Sequence, residues 1–286
     1  MQKVAIIGKD SYIGNAIDAH LTKLGMTVEQ VEAQDGQWEN YDFQGVDTVI
    51  MVAAIVHRKD ITDAAIYNEV NTRLPLRVAE KAKNAAVGQF VFFSTMAVYG
   101  KGRSITDYYV DENSPFAPAT LYAKSKYAAE QGLKAMEDES FTVAVVRPPS
   151  VYGKGCKGNL IDQYIRIARK LPVIPKCHPN VPQGMLSVDN LAAAVGEIVA
   201  DRRGGDFHPQ DAQVISSAQM LVVLRKASGR KAQYSGFLGA AGSLLRFTGP
   251  YKKLFGGIAY RDAFVAKSGL KVPMRTTAEC LKEMAE

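Results

Sequence analysis

The chain has 286 residues, 47% hydrophobic and 22% charged, with a formal net charge of +6 and a pI near 9.0. These proportions exclude a disordered or low-complexity chain and suit one large α/β domain or a domain with a smaller satellite. No apolar stretch approaches the roughly 20 residues of a membrane span, Cys156, Cys177 and Cys280 form no Cys-x-x-Cys pair, and His20, His57, His178 and His208 lack metal-ligand spacing. Neither a disulfide framework nor a metal site is expected. The positive balance would suit a nucleotide or a phosphorylated lipid, but no basic block is interleaved with aromatics, so it reads first as an aid to solubility and no nucleic-acid partner is expected.

Residues 3–7 read as a buried strand, without the longer apolar region and cleavage site of a signal peptide, so a cytoplasmic location is expected. The turn Gly8-Lys9-Asp10-Ser11-Tyr12-Ile13-Gly14 follows, and then Ile13, Ile17, Leu21 and Leu24 recur at helical spacing up to Gly25. Strand, glycine turn and helix open a dinucleotide-binding unit, because glycines let the backbone approach a pyrophosphate that the helix N-terminus stabilises. A second strand is predicted over 26–31, with Glu29 or Glu32 as the acid for the adenosine ribose. No Lys or Arg occurs from Thr27 to Gln44, so NAD is expected rather than NADP.

The apolar run 46–54 predicts a third strand, and Val70, Leu74, Val78 and Ala82 predict a helix over 67–84 interrupted at Pro75. Strands over 90–93 and 141–146, with a helix over 119–137 between them, complete a βαβ alternation through residue 150. Beyond it the spacing predicts a helix over 159–171 with a basic face. A short strand over 185–188 is expected to return to the sheet, followed by a helix N-capped by Asp189. The expected division is a dinucleotide-binding domain of 1–150 plus roughly 184–204, and a substrate-binding lobe of 151–183 plus 205–286.

Chemistry concentrates between Phe93 and Lys126. Tyr122 and Lys126 are four apart, so they share one helix face. An ammonium beside a phenol favours the phenolate, which would lower the Tyr122 pKa toward working pH and make it a general base. Thr95, in Ser94-Thr95-Met96-Ala97-Val98-Tyr99-Gly100, is expected at the carboxyl end of a strand, where open α/β sheets hold their ligands.

Together these motifs resemble the extended short-chain dehydrogenases/reductases, specifically the nucleotide-sugar epimerase/dehydratase branch, over nearly the whole chain. The turn from Gly8 to Gly14 resembles Gly-x-x-Gly-x-x-Gly with Ser11 in the middle position. Val52-Ala53-Ala54, Asn71 in Val70-Asn71-Thr72, the Thr95 segment, the Tyr122-Lys126 pair, and Arg147-Pro148 through Val151-Tyr152-Gly153 match further family segments in order. The resemblance implies a Rossmann-type doubly wound parallel sheet with a smaller mixed α/β lobe. It places the dinucleotide on Gly8, Ser11, Tyr12, Ile13, Gly14, Glu32, Ala53, Ala54, Asn71, Tyr122, Lys126, Pro148 and Val151.

It also implies catalysis by Thr95, Tyr122 and Lys126, with substrate on Thr95, Ser150, Asn159 and Gln183. The implied activity is a 4-epimerase or 4-ketosugar reductase acting on a nucleotide- or lipid-diphosphate-linked sugar, as a homodimer. Met96 and Ala97 replace the Asp-Glu of the 4,6-dehydratases, which argues against dehydration. Ser150 and Gln183 stand where UDP-sugar epimerases carry an asparagine and an arginine, which argues against a standard UDP-hexose.

The run 152–159 with Leu171-Pro172-Val173-Ile174-Pro175 resembles a bacterial surface-polysaccharide subgroup. Residues 244–255, apolar with Arg246, Lys252 and Lys253, are a candidate contact with the inner face of a membrane. The competing readings are a reductase of a non-sugar ketone and a non-catalytic dinucleotide sensor. Retention of Thr95, Tyr122 and Lys126 together argues against the sensor.

Overall fold

A computed structural model describes residues 1–56, 62–100, 104–106, 108–156 and 160–285. The first half alternates strand and helix: β1 (Lys3–Ile7), α1 (Tyr12–Lys23), β2 (Thr27–Val31), β3 (Thr48–Met51), α2 (Ala64–Asn68), α3 (Leu74–Asn84), β4 (Gln89–Phe93), β5 (Tyr109–Val110), α4 (Leu121–Lys134) and β6 (Thr142–Val146). The second half begins with β7 (Ser150–Tyr152), α5 (Leu160–Lys170), β8 (Ile174–Pro175), β9 (Met185–Ser187), α6 (Val188–Ala200) and β10 (Gly205–Phe207). It continues with α7 (Ser217–Ala227), β11 (Tyr234–Ser235), α8 (Gly236–Ser243), α9 (Gly249–Phe255), β12 (Ala259–Tyr260), α10 (Asp262–Lys267) and α11 (Thr277–Ala285).

Six strands form one parallel sheet in the order β10-β6-β4-β3-β1-β2. Its inner strands β1, β3, β4 and β6 are apolar on both faces, which is why helices cover both. Ala5, Ile7, Phe90, Phe92, Val143 and Val145 pack with Val78, Ala79, Ala82, Ala129 and Leu133 of α3 and α4. Val4, Ile6, Val91, Phe93, Ala144 and Val146 face the other way, onto Ile17 and Leu21 of α1 and Leu191, Val195 and Ile198 of α6. Each fully buried Val, Ile or Phe contributes about 1.5–3 kcal/mol. The doubly wound sheet therefore follows from the alternation of side chains along apolar inner strands.

Three boundaries differ from expectation. Met185–Ser187 does not return to the main sheet; it pairs parallel with β7 in a sheet of two. The sixth strand is Gly205–Phe207, on the far edge beside β6, so the parallel sheet extends past the expected boundary at 204. The N-cap of α6 is Ser187, whose side chain accepts from the Asn190 N–H at 3.1 Å, while Asp189 lies in the first turn. Either residue can cap a helix, and the neighbouring register chose serine.

Pro75 does not break its helix either. A π-helical turn, Glu69–Arg73, separates α2 from α3 and leaves Pro75 in the first turn of α3, where its missing N–H costs nothing. A third core joins Tyr152, Ile161, Tyr164, Met220, Leu221, Leu224, Tyr251, Phe255 and Leu281 from β7, α5, α7, α9 and α11. It is separate from the two clusters that flank the sheet, and the elements around it are called the smaller lobe. β8 pairs parallel with β11 beside this core, whereas β5 pairs parallel with β12 in a fourth cluster that joins Val110 and Tyr260 to Met96, Val98 and Tyr99.

Candidate active site

The site starts where β1 ends. Gly8 has φ +124, and a Cβ there would stand 2.9 Å from both Ala53 N and Val52 Cγ2. Only glycine fits that turn. Ser11 N-caps α1, its Oγ accepting from the Gly14 N–H at 3.1 Å, and a Cβ on Gly14 would lie 2.5 Å from that oxygen. The serine in the middle position is therefore occupied in holding the helix start. Ile13 is half-buried against the second core.

Gly8, Ser11, Glu32, Ala53 and Ala54 line one cleft of about 660 Å³, a volume suited to a small-molecule ligand. Glu32 accepts from the Gln34 N–H at 2.9 Å, which fixes its carboxylate at the cleft edge.

Thr95 continues from β4 in extended backbone and caps a short 3-10 turn, Met96–Tyr99, its Oγ1 accepting from the Ala97 N–H at 3.2 Å. Gly100 ends that turn at φ +74, and a Cβ there would lie 1.7 Å from Ala117 O. Tyr122 and Lys126 lie one turn apart on α4, whose start is capped by Thr120. The Tyr122 phenol shares a hydrogen bond with the Thr95 side chain. Thr95 and Tyr122 are thus brought together from a strand end and a helix.

The pKa expectation for the pair is reversed. Burial pushes Tyr122 up to about 12, with the Thr95 hydrogen bond opposing it. Burial holds Lys126 down at about 7, with Glu130 opposing it. Desolvation penalises phenolate and ammonium alike, and it is the largest cause of both shifts. Lys126 is 1% exposed, its Nζ sits 4.5 Å from the Phe92 ring centroid, and it has no hydrogen-bond partner among the described residues.

A buried ammonium without a partner is costly, so this atom fits a ligand that brings an acceptor. The Tyr12 hydroxyl is likewise buried and without a hydrogen-bond partner among the described residues. A Cβ on Gly153 would lie 2.5 Å from it. The glycine cradle and these two orphaned polar atoms fit a dinucleotide.

Beneath this pair is a buried charge network. Arg147 holds Glu130 through Nε at 3.1 Å and Nη2 at 2.8 Å, and Asp206 through Nη1 at 3.0 Å. Arg147 Nη1 at 3.1 Å and the Tyr99 hydroxyl at 2.9 Å both reach His208 Nε2. Burial first, and Arg147 second, drop His208 to about 3, consistent with a neutral ring accepting at Nε2. The network ties α4, the end of β6, the segment after β10 and the Tyr99 turn into one block.

The remaining expected residues are placed unevenly. Pro148 is buried and accepts from the Met96 N–H at 3.0 Å, and Val151 lies half-buried on β7. Asn71 is buried in the π turn and spends its amide on Ile55 N and O and on Ser125 Oγ, so it braces the cleft wall through Ile55. Ser150 is exposed on β7. Gln183 is 2% exposed and donates to Ser217 Oγ and Gly256 O, a brace between α7 and the segment after α9. Its Nε2 is thus engaged inside the protein. Asn159 lies outside the described residues.

Sequence reasoning missed the far wall of the cleft, formed by Trp38, Glu39, Glu69 and Arg77. Arg77 stacks 5.2 Å from the Trp38 ring centroid and pairs with Glu39 and Glu69. The single tryptophan, buried in a polar connection, was the only available signal.

The profile of the NAD dependent epimerase/dehydratase family matches residues 4–178. The chain belongs to this family. Its members use a nicotinamide dinucleotide, and the cradle and orphaned ammonium described above fit one. UDP-glucose 4-epimerase of Vibrio cholerae is 28% identical over 179 residues, covering 60% of this chain and 54% of that protein. The N-acetyl-alpha-D-glucosaminyl-diphospho-ditrans,octacis-undecaprenol 4-epimerase of Escherichia coli O157:H7 is 30% identical over 140 residues, covering 48% and 41%. The match thus spans about half the length of these curated relatives. The structure of dTDP-4-dehydrorhamnose reductase from Bacillus anthracis str. Ames, in complex with NADP, superposes with TM-score 0.75 at 16% identity, covering 99% of this chain and 98% of that one. That likeness concerns the fold, and it covers the lobe as well as the sheet.

Proposed function

We propose that this family member is a sugar 4-epimerase or 4-ketosugar reductase whose substrate is carried on a nucleotide or lipid diphosphate. The observation that carries the reading is the Thr95–Tyr122 hydrogen bond one helical turn from Lys126, whose buried Nζ has no hydrogen-bond partner among the described residues. A bound nicotinamide dinucleotide supplies the hydride acceptor and donor. Thr95 orients the substrate oxygen, Tyr122 takes or returns its proton, and Lys126 supplies the charge that makes the phenolate accessible during turnover.

NAD is the proposed cofactor, because Glu32 stands at the cleft edge and Arg77 is committed to Glu39 and Glu69, leaving a 2′-phosphate little but Lys9 among the residues that line the cleft. The lipid-diphosphate carrier is supported by the activity named for the E. coli O157:H7 relative. A homodimer through the helices of 67–84 and 119–137 is proposed from the family resemblance.

The test is turnover of a UDP-linked and an undecaprenyl-diphosphate-linked N-acetylhexosamine deuterated at C4. An epimerase keeps the label within the sugar product, whereas a reductase consumes NADH with the 4-keto sugar. Tyr122→Phe should retain dinucleotide binding and lose about 10²–10⁴-fold in kcat. Wild-type turnover by this variant would refute the assigned acid/base.

A further inference from the structure

The surface of the smaller lobe carries a feature that the reaction does not use. α8 lies with its small face inward: a Cβ on Gly239 would stand 2.5 Å from Lys176 O, and one on Gly242 3.3 Å from Cys177 Sγ. The helix rests backbone to backbone on the lobe, so its large side chains have no room beneath it. Phe237 and Leu244 are each 82% exposed, Phe247 75%, Leu245 58% and Leu238 43%. Five large apolar side chains exposed within eleven residues far exceed the scattered single exposures of an ordinary surface.

The charge around them is one-sided. From Ala212 to Arg261 the chain has eight Lys or Arg and no Asp or Glu, so the remainder carries a formal −2 against +6 for the whole. Arg246 stacks 4.8 Å from the Phe247 ring centroid, and the exposed Lys252 follows on α9. α9 itself is rooted: Tyr251 and Phe255 are buried in the third core, and the Tyr164 hydroxyl donates to Leu254 O. The projecting part is therefore 237–247, earlier in the chain than the 244–255 expected from the sequence.

We infer that this acid-free apolar projection docks the protein on an anionic phospholipid surface, Phe237, Leu244, Leu245 and Phe247 entering the headgroup region and Arg246 and Lys252 meeting lipid phosphates. Charge decides between occupants. A symmetric contact with a second copy sets the same patch against itself, cation facing cation, whereas anionic headgroups complement it. The close packing of Gly239 and Gly242 on Lys176 and Cys177, with the Cys177 Sγ contact to Gly239 O, anchors the projection to the lobe. The inference goes beyond the proposed reaction and does not depend on it.

The experiment is cosedimentation of the full chain with phosphatidylcholine vesicles and with equimolar phosphatidylcholine–phosphatidylglycerol vesicles, at low and at high salt. Wild type should partition at least about tenfold more strongly onto the anionic vesicles, and less so at high salt. Leu244→Ser/Phe247→Ser and Arg246→Glu/Lys252→Glu, all at exposed positions, should each lose that binding with wild-type circular dichroism and melting. Wild-type protein left in the supernatant with anionic vesicles at low salt would overturn the inference, as would undiminished pelleting of Leu244→Ser/Phe247→Ser. An oligomer that dissociates in that double variant would assign the face to a second copy instead, which also overturns it. Partition involves no turnover, so either result leaves the proposed reaction to be judged separately.

Discussion

Lys126 illustrates how one buried atom sets a pH dependence. Its folded pKa of about 7 lies below the ordinary 10.5 because burial disfavours the ammonium. For a cation depressed in this way, the burial penalty is complete below about pH 7. It is relieved as pH rises toward the unfolded value, so this residue's contribution to the free protein's stability increases over that window. Dinucleotide binding should run the other way. If Nζ donates to an acceptor on the ligand, the charged form is favoured and a proton is taken up. Affinity should then weaken above about pH 7, by up to tenfold per unit. Trp38, the single tryptophan, lines the cleft, so its fluorescence reports the titration. Lys126→Met should flatten the profile. A flat wild-type profile between about pH 6 and 9 would count against the role given to Lys126.

Among the elements, α4 is the one on which the site turns. One face carries Tyr122 and Lys126, and the next turn carries Glu130, fully buried and held at two atoms by Arg147. Glu130→Gln would leave a buried guanidinium short of its principal counter-charge, a change that costs about 3–5 kcal/mol. Urea unfolding near neutral pH should show that loss. A variant as stable as wild type would mean that Asp206 alone satisfies Arg147.

The helix spacing of α4 was legible from Tyr122 and Lys126. The reversal of their pKa values was not, because it depends on the burial of both groups by other elements. The same holds for Gln183: its position relative to the motif was readable, yet its bonds to Ser217 and Gly256 cross the lobe.

For the whole molecule, the cleft draws on β1, β3, the π turn and α3, so ligand binding should stabilise the sheet and helices as a unit. At about 100 times its Kd, a dinucleotide adds about 2.7 kcal/mol. Differential scanning fluorimetry should then show Tm rising by several degrees, with NAD stabilising more than NADP at equal concentration. Equal shifts would remove the case for NAD built on Glu32 and Arg77.

The sequence by itself determined the parallel sheet, because uninterrupted apolar strands separated by amphipathic helices bury both faces in only a few ways. It also determined the glycine turn and the Tyr122–Lys126 register, which are local in the chain. The tertiary structure decided which edge β10 joins, that Trp38 and Arg77 close the cleft, and that Arg147 meets Glu130, Asp206 and His208. It also decided that α8 turns its phenylalanine and leucines outward. These features rest on contacts between residues far apart in the chain, and desolvation, pairing and exposure are properties of such contacts.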